Sequence, residues 1–488
     1  GSCGIYFCKV EITFSIDSIS YLFIFLCRNL AEHYSLLSDA NGIIIKAEHM
    51  FDWRKRTGEL TVVWDTLLKM VRVNCRMNRV ILHSDLNNFY ASVECLYNPK
   101  IRTHPVAVCG SQSTRHGIVL AKNQIAKKFG VKAGDTIWEA RSKCPGLVVV
   151  RPNYMQYLRF SMMVRKIYEN YTNLIEAFGI DENWLDVTES TRLFGSGEKI
   201  ADEIRKKIKN ELGITASVGV SFNKVFAKLG SDMRKPDFTT VISPENYRET
   251  VWGLPAGDMI YVGPSTRRKL ADIGITTIGE LACAPPGFLE KHLGQWGRTL
   301  WIFANGYDET PVTRLDFQPC IKGVGNSLTT PRDLCTNEDV KILAYVLAES
   351  VAERLRRHHL KGRTVQICIR SSDLAFIERQ GKLPHYTCTS SEIAEKALEI
   401  FACSWNWSKN IRMLGIRVTD VVMGNECEQL SFFDDEKRLR RERLETSIDR
   451  IRSRFGHYSI QRAVLLKSPE LNANPVEENV IHPVSFFR

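Results

Sequence analysis

The segment Val80-Ile-Leu-His-Ser-Asp85 and its continuation Leu86-Asn-Asn-Phe-Tyr-Ala-Ser-Val-Glu94 determine how the chain begins to fold. The first six residues are a mostly apolar run that ends in a carboxylate, which is typical of a buried strand. Residues 87–97 then have the pattern of a helix. The N-terminus of a helix offers free N–H groups to anions, so a triphosphate could lie across this junction. Phe89 and Tyr90 could pack beneath its sugar, although both rings could equally be ordinary core anchors.

A second acidic motif, Asp181-Glu182, lies on a predicted β-hairpin over residues 177–188. If this hairpin pairs with the strand that ends at Asp85, three carboxylates meet at one edge of a sheet. Carboxylates that are held close together without a partner raise one another's pKa. Mg²⁺ relieves this repulsion because it prefers carboxylate and phosphate oxygens, and two such ions about 4 Å apart can promote phosphoryl transfer. The alternative interpretation is that all three are ordinary acids of a turn and of strand ends.

Two basic segments accompany these acids along the chain. Their side chains could neutralise a triphosphate beside the carboxylates, or they could form ordinary solvated helix faces. They are Lys122, Lys127, Lys128 and Lys132 in the first segment, and Lys224, Lys228, Arg234 and Lys235 in the second.

Two further motifs indicate contacts with partners. Residues 261–275 contain Val262-Gly263-Pro264 and can form a tight turn between two helices. The backbone N–H groups of such a turn can bind a DNA phosphate without reading bases, and a plain helical hairpin is the alternative. The peptide Gln429-Leu-Ser-Phe-Phe433 follows the last predicted strand. Short apolar anchors of this kind suit docking into a groove of another protein.

Length and composition are those of a globular protein with several domains. The 488 residues, 44% hydrophobic and 25% charged, exclude a disordered, collagen-like or coiled-coil chain. The 66 basic and 55 acidic residues give a net charge of +11, which favours a polyanionic partner. None of the 14 cysteines forms a Cys-x-x-Cys pair, so we expect reduced thiols and no structural zinc. The longest apolar run, residues 21–27, is too short to cross a membrane.

The order of the predicted elements divides the chain into regions. Alternating strands and helices over residues 77–243 predict a core of both element types, and residues 244–311 are mostly helical. Residues 312–320 are a predicted linker, and residues 321–423 follow a βαββαβ order. The fold class is therefore α+β and multidomain. The tail, residues 424–488, contains a charged helix over 436–455 and ends in a polar segment that we expect to be partly disordered.

The first 76 residues differ from the rest of the chain. They show no clear period, and no turn chemistry ties them together. We interpret Met77 as the biological start and residues 1–76 as an N-terminal extension that is not native. A genuine N-terminal subdomain is the alternative.

Taken together, these motifs resemble those of the Y-family translesion DNA polymerases, and most of all their bacterial DNA polymerase IV branch. The resemblance extends from about residue 79 to residue 423. It rests on the order and spacing of four segments, which are Ser84–Glu94, Lys128–Gly134, Gly179–Thr188 and Ser217–Lys228. It implies template-directed DNA synthesis of low fidelity that continues past lesions.

The resemblance implies a right-hand polymerase architecture. The palm, with a ferredoxin-like sheet, and the fingers share residues 77–243, and the small fingers are inserted at about 89–152. The helical thumb, with a helix-hairpin-helix, covers residues 244–311. After the linker at 312–320, the βαββαβ little finger covers residues 321–423.

The resemblance also implies which residues form the active site. Asp85, Asp181 and Glu182 are then catalytic and hold two Mg²⁺, with the backbone carbonyl of Leu86 as a further ligand. Tyr90 is then the steric gate, whose ring collides with a ribose 2′-hydroxyl. The nucleotide-binding residues implied are Phe89, Tyr90, Lys127 and Lys228.

The implied partners are primer–template DNA, deoxynucleoside triphosphates and a sliding clamp. Four residues are implied as DNA contacts, namely Gly263, Ser265, Thr266 and Arg332. The clamp peptide is implied to act through Gln429, Leu430, Phe432 and Phe433. We expect a cytoplasmic monomer without membrane contact.

Four positions depart from the family pattern. One is Gly179, because the family usually has Ser-Ile before the acidic pair where this chain has Gly179-Ile180. The family often has Tyr and then Arg where this chain has Gln124 and Lys127, so the grip on a triphosphate is expected to be weaker here. Tyr261 stands where the thumb hairpin often has its first glycine.

The binding-module alternative is a weak or inactive relative that binds DNA or recruits the clamp, although the three carboxylates and the gate are intact. The enzyme alternative is a nucleotide cyclase, which would need neither the thumb hairpin nor the second α+β domain.

Overall fold

The computed structural model describes residues 79–110, 117–317, 320–424 and 436–474. The predicted extension at 1–76, the predicted start at Met77 and the predicted clamp peptide at 429–433 lie outside these ranges. Within them, the chain has the multidomain α+β fold that the sequence predicts. No helix in the described ranges is long and apolar enough to span a bilayer.

The strands of the described ranges form three sheets. In chain order the strands are β1 (Ile81–Leu86), β2 (Val106–Cys109), β3 (Val119–Lys122), β4 (Val148–Val150), β5 (Ile175–Ala177), β6 (Glu182–Asp186), β7 (Ala216–Ser221), β8 (Thr239–Ile242), β9 (Gly323–Leu334), β10 (Leu360–Ser371), β11 (Phe376–Thr387) and β12 (Ile411–Met423). The orders of the strands in the three sheets are β5-β6-β1-β7-β8, β3-β2-β4 and β11-β10-β12-β9.

The α-helices of the described ranges cover these sheets or form the helical region between them. In chain order they are α1 (Phe89–Tyr97), α2 (Gln124–Lys128), α3 (Ile137–Lys143), α4 (Tyr154–Glu169), α5 (Thr191–Phe194), α6 (Gly197–Leu212), α7 (Lys224–Met233), α8 (Tyr247–Val251), α9 (Pro264–Asp272), α10 (Ile278–Cys283), α11 (Pro286–Leu293), α12 (Gln295–Ala304), α13 (Asn337–Arg357), α14 (Ser390–Ser404) and α15 (Glu436–Phe455).

The region predicted as the palm is built around β1, which pairs antiparallel with both β6 and β7. All six residues of β1 are buried because the sheet carries helices on both faces. Leu82 and Leu86 belong to the core beneath α4 and α6, whereas Ile81 packs on the opposite side with Trp184 and Ala227. Since side chains alternate along a strand, Asp85 shares the face of Ile81.

Helix α7 lies against the face of the sheet on which Asp85 stands. A Cβ atom on Gly219 would lie 1.9 Å from the carbonyl oxygen of Ala227, so only glycine lets the helix approach the strand so closely. Asn223 caps the helix, because its side chain accepts a hydrogen bond of 2.8 Å from the backbone N–H of Phe226. This packing brings Lys228, in the middle of α7, to the acidic end of β1.

The region predicted as the fingers has a core of its own, whereas the core of the region predicted as the thumb continues into the palm at residues such as Phe226 and Ile242. Strands β2, β3 and β4 and helices α2 and α3 form the fingers around residues such as Val119, Ala126 and Ala140. The thumb helices α8–α12 pack around Leu270, Ile278 and other buried apolar residues. The predicted βαββαβ order of the little finger is present as β9-α13-β10-β11-α14-β12.

The described part of the tail, residues 436–474, is more firmly packed than the sequence predicts. Leu465 and Leu471 are only 2% and 1% exposed and belong to the core of the little finger. In α15, Glu445 is buried and accepts hydrogen bonds from the backbone N–H and hydroxyl of Ser390, at the start of α14. The expected disorder therefore does not apply to residues 456–474, because long-range polar contacts and two buried leucines hold them in place.

Candidate active site

The sheet register brings the three predicted carboxylates together. Asp85 is directly opposite Glu182 in the β1–β6 ladder. The backbone N–H of Leu86 donates to the carbonyl oxygen of Asp181 over 3.1 Å, which fixes the hairpin against β1. All three acids and Leu86 line one cavity of about 410 Å³ between the palm and the fingers.

Two lysines lie among these acids. The Nζ of Lys228 is 2.9 Å from Glu182 Oε1 and 3.3 Å from Asp85 Oδ2, so its ammonium group bridges the two strands. The Nζ of Lys235 is 2.8 Å from the same Asp85 oxygen. Although burial opposes the charge, Asp85 and Glu182 raise the pKa of Lys228 above its ordinary value. Both lysines are therefore cationic parts of the site.

The carboxylates carry more negative charge than their surroundings stabilise. Burial and the charge of Asp85 raise the pKa of Asp181 to about 6. Burial and the charge of Asp85 also raise the pKa of Glu182. Such a set of crowded oxygen donors suits a hard divalent cation. Among the described residues, no three acidic, histidine or cysteine side chains are already arranged as a metal cage, and Lys228 instead bridges two of the acids.

His83, two residues before Asp85 on β1, supports the site through its packing. The sequence did not predict a role for this residue. It is fully buried, and its Nδ1 lies 2.8 Å from the hydroxyl of Ser231 on α7. Its ring meets the edge of Trp184, with centroids 5.3 Å apart. Burial, together with the charges of Lys228 and Lys235, holds the pKa of His83 well below its usual range. A neutral imidazole at this position packs the acidic strand without adding charge.

The rest of the cavity wall comes from both palm and fingers. The fingers contribute cationic and amide side chains, and the palm contributes the residues that follow Asp85. The wall residues beyond the acids and Leu86 are Asn87, Asn88, Phe89, Leu120, Ala121, Lys122, Gln124, Lys127, Ala133 and Lys235. Gln124 and Lys127, two of the departures from the family pattern, thus both lie on the cavity wall.

Lys228, which the family resemblance assigns to the nucleotide, and Lys235, which was named only as a member of the basic segment, have different surroundings. Lys228 contacts Asp85, Glu182 and Asp232, and it does not line the cavity. Lys235 lines the cavity wall directly. The sequence shows Lys235 only as one of several cations in a basic segment. Its placement depends on the turn that follows α7, which no local pattern specifies.

The two predicted aromatic residues of α1 also differ. Phe89 is 3% exposed and belongs to the palm core, and it also forms part of the cavity wall. Tyr90 is partly exposed and stacks on Tyr157, with ring centroids 4.3 Å apart and 10° between the planes. Tyr154 meets the edge of the Tyr90 ring at 6.0 Å. Asn88, which precedes α1 as its N-cap residue, is in the left-handed conformation, with φ of 49°.

The predicted DNA contacts lie in two places. Gly263, Ser265 and Thr266 are at the start of α9, and a Cβ on Gly263 would meet nothing within 4 Å. The backbone there is open to a ligand. Arg332 of the little finger instead forms ion pairs of 2.7 Å with Asp339 and 2.5 Å with Glu470. Its guanidinium is thereby engaged in contacts within the protein.

Comparison with known proteins gives a consistent assignment. Residues 84–232 match the impB/mucB/samB family, and residues 321–432 match the C-terminal domain of that family. A DNA polymerase IV of Acetivibrio thermocellus is 60% identical over 397 residues, which are 81% of this chain and all of that relative. A DNA polymerase IV of Pelotomaculum thermopropionicum is 36% identical over 390 residues, covering 79% of this chain and 95% of that relative.

Solved structures point in the same direction. A Y-family DNA polymerase chimera superposes with a TM-score of 0.62 at 25% identity, over 70% of this chain and 99% of its own. With the multidomain α+β fold and the acidic cavity, these matches define a Y-family DNA polymerase. More narrowly, the chain belongs to the DNA polymerase IV branch of that family, whose activity is DNA-directed DNA synthesis past lesions.

Proposed function

We propose that Asp85, Asp181 and Glu182 are the catalytic carboxylates of this polymerase and that they hold two Mg²⁺ with the backbone carbonyl of Leu86. The observation that carries the proposal is the register of β1 against β6, which sets Asp85 opposite Glu182 at the wall of one cavity. When bound, such ions lower the pKa of a primer 3′-hydroxyl and stabilise the charge that develops on the triphosphate.

The lysines have separate roles in this proposal. Lys235, with Lys122 and Lys127, binds the triphosphate, because all three line the cavity. Lys228 was predicted to bind the triphosphate as well, but its contacts favour a positioning role. Its ammonium group holds Asp85 and Glu182 at 3.3 Å and 2.9 Å and keeps the two strands in place.

The sugar is selected by the rings of α1 and α4. Tyr90 acts as the steric gate, and Phe89 fixes the helix that carries it. The stacked ring of Tyr157 and the edge of Tyr154 leave the Tyr90 ring little freedom to move aside. A ribose 2′-hydroxyl would therefore meet a rigid obstacle.

Primer–template DNA and deoxynucleoside triphosphates are the substrates. Backbone groups at Gly263, Ser265 and Thr266 bind a DNA phosphate, and Arg332 contributes to the little finger's grip on the duplex.

The peptide at 429–433 binds a sliding clamp through Gln429, Leu430, Phe432 and Phe433. Replacing both phenylalanines with Ala should abolish stimulation by the clamp and leave basal synthesis unchanged, and retained stimulation would place the clamp contact elsewhere. We expect the protein to act as a monomer in the cytoplasm.

The decisive test is primer extension on an undamaged template with Mg²⁺ and all four dNTPs. Wild-type protein should extend the primer in short, distributive steps, and Asp181→Ala plus Glu182→Ala should lose extension while still binding primer–template. A matched control is Glu198→Ala plus Glu211→Ala, which removes two exposed acids of α6. Wild-type rates in the first double variant would reject the carboxylate assignment. No extension by folded wild-type protein that binds DNA would favour the inactive, DNA-binding alternative.

A further inference from the structure

A row of aromatic rings runs from the acidic hairpin of the palm into the thumb. The ring of Phe178 lies 6.5 Å from that of Tyr261, and Tyr261 lies 5.9 Å from Trp296. These three side chains are 39%, 54% and 39% exposed. Large apolar rings that are this exposed, and that contact one another across two domains, form a surface suited to a ligand.

The row is fixed at the palm end by a buried partner and at the thumb end by a partly buried one. Phe178 packs on Trp184, with centroids 4.9 Å apart, and the indole N–H of Trp184 donates to the carbonyl oxygen of Lys224 over 3.0 Å. At the thumb end, Phe303 lies 6.3 Å from Tyr261 and 6.4 Å from Trp296. The exposed rings are therefore held in place before any ligand arrives.

Tyr261 has an unusual backbone. Its φ is 68°, in the left-handed region that glycine adopts freely and that other residues rarely adopt. The resemblance to the family places a glycine at this position. A tyrosine here carries a conformational cost, and what it adds is its ring, which joins the palm residue Phe178 to the thumb residue Trp296.

The row begins at the catalytic hairpin. The backbone N–H groups of Phe178 and Gly179 both donate to the carbonyl oxygen of Glu182, over 3.0 Å and 3.1 Å. The cavity assigned to the nucleotide is walled by fingers residues such as Lys122 and Lys127. The rings instead join the acidic hairpin to the thumb. A polymerase must bring the primer end to its carboxylates, and Phe178 lies three residues before Asp181 on the same hairpin.

We propose that Phe178, Tyr261 and Trp296 form an aromatic contact for the last nucleotides of the primer strand. The deoxyribose faces of these nucleotides lie over the exposed rings, while the open backbone at Gly263 approaches a neighbouring phosphate. This inference rests on the proposed role of Asp181 and Glu182. Contacts between rings and nucleotides tolerate any sequence and, unlike contacts to phosphates, release no counterions.

The test is binding of the full chain to primer–template DNA, measured by fluorescence anisotropy at several NaCl concentrations. Trp296→Leu keeps an apolar side chain without a ring, Trp296→Phe restores a ring, and Tyr261→Gly removes a ring at a backbone conformation that glycine accepts. A matched control is Phe455→Ala, which removes an exposed ring from α15 of the tail. The same template without primer serves as the second probe.

We expect Trp296→Leu and Tyr261→Gly to weaken primer–template binding roughly five- to tenfold, the scale of one lost stacking contact. The salt dependence should be unchanged, Trp296→Phe should bind almost as wild type does, and binding of single-stranded template should stay within about twofold. Unchanged primer–template affinity in folded variants would overturn the proposal. Equal losses with both probes would overturn it too, because they would indicate that the rings only brace the thumb. Primer extension by wild-type protein from the same preparation reports separately on the carboxylates.

Discussion

The ring of Tyr90 lies parallel to the ring of Tyr157, 10° between planes and 4.3 Å between centroids. The hydroxyl of Tyr157 in turn donates to Glu94, one helical turn further along α1, over 2.5 Å. The gate residue and its support are thus tied to the same short helix. Because the ring of Tyr157 limits the movement of the Tyr90 ring, Tyr90 can exclude a ribose 2′-hydroxyl by steric contact alone.

Removal of the gate should change the choice of sugar. Tyr90→Ala should raise the ratio of ribonucleotide to deoxynucleotide incorporation by about a hundredfold, the scale on which a shaped pocket discriminates between related substrates. Single-nucleotide insertion with dCTP and rCTP measures this ratio. Tyr157→Leu should give a smaller increase, because the Tyr90 ring remains but loses its support. Unchanged selection in Tyr90→Ala would remove Tyr90 from the gate role.

Removal of the two lysines should have separable kinetic effects. Lys235→Ala should raise the KM for dNTP roughly ten- to hundredfold, since a hydrogen bond to a charged group contributes about 1.5–3 kcal/mol. Lys228→Ala should mainly lower kcat, because Lys228 contacts Asp85 and Glu182 and does not line the cavity. Lys128→Ala, on an exposed position of α2, is the control. Identical KM effects from the Lys235 and Lys228 variants would contradict this division of roles.

The tail helix should be needed for stability of the little finger. Glu445 has a side chain 6% exposed and pairs with Arg356 over 2.5 Å, while Ser390 donates to it as well. Glu445→Ala should cost roughly 1–3 kcal/mol in free energy of unfolding, because the buried N–H of Ser390 loses its acceptor and Arg356 keeps only Asp449 as a carboxylate partner. Glu436→Ala on the same helix removes an exposed ion pair with Arg440 and should cost less than about 1 kcal/mol. Urea unfolding of the two variants measures the difference. Equal midpoints would show that the buried contacts of α15 do not stabilise the little finger.

Acid stability should depend on Asp339. The hydrogen bond from Arg332, at 2.7 Å, holds the pKa of this buried carboxyl at about 2, below its ordinary value of 3.8. A depressed pKa means that the carboxylate stabilises the fold above about pH 4 and that this contribution disappears as the pH falls towards 2. Asp339→Asn should therefore lower the apparent melting temperature at pH 7 and converge with wild type between pH 4 and pH 2. Exposed Asp258→Asn is the control, and a constant gap at all pH values would contradict the assignment.

The sequence predicts what local patterns encode. The run before Asp85 and the hairpin around Asp181 are visible as strands with acids at defined positions, and the βαββαβ order follows from alternating periods. Lys235 was predicted only as one of several cations in a basic segment, because nothing in that segment shows that its turn points into a cavity. The tail was also misjudged, because the contact between Glu445 and Ser390 joins polar residues far apart in the chain, and polarity alone indicates exposure. Tyr261 was noticed only as a departure, and its ring contacts require the relative placement of palm and thumb.

The position of β1 between β6 and β7 has a consequence for how variants will behave. Because side chains alternate along a strand, a slip of one residue would turn Ser84 towards the lysines and drive Asp85 into the hydrocarbon core occupied by Leu82 and Leu86. The register that packs the core of the palm therefore also places Asp85 at the site. A substitution that disturbs this register disturbs both the core and the position of the carboxylate. Substitutions deep in the palm that never touch DNA or nucleotide should still appear in a mutational screen as losses of catalysis.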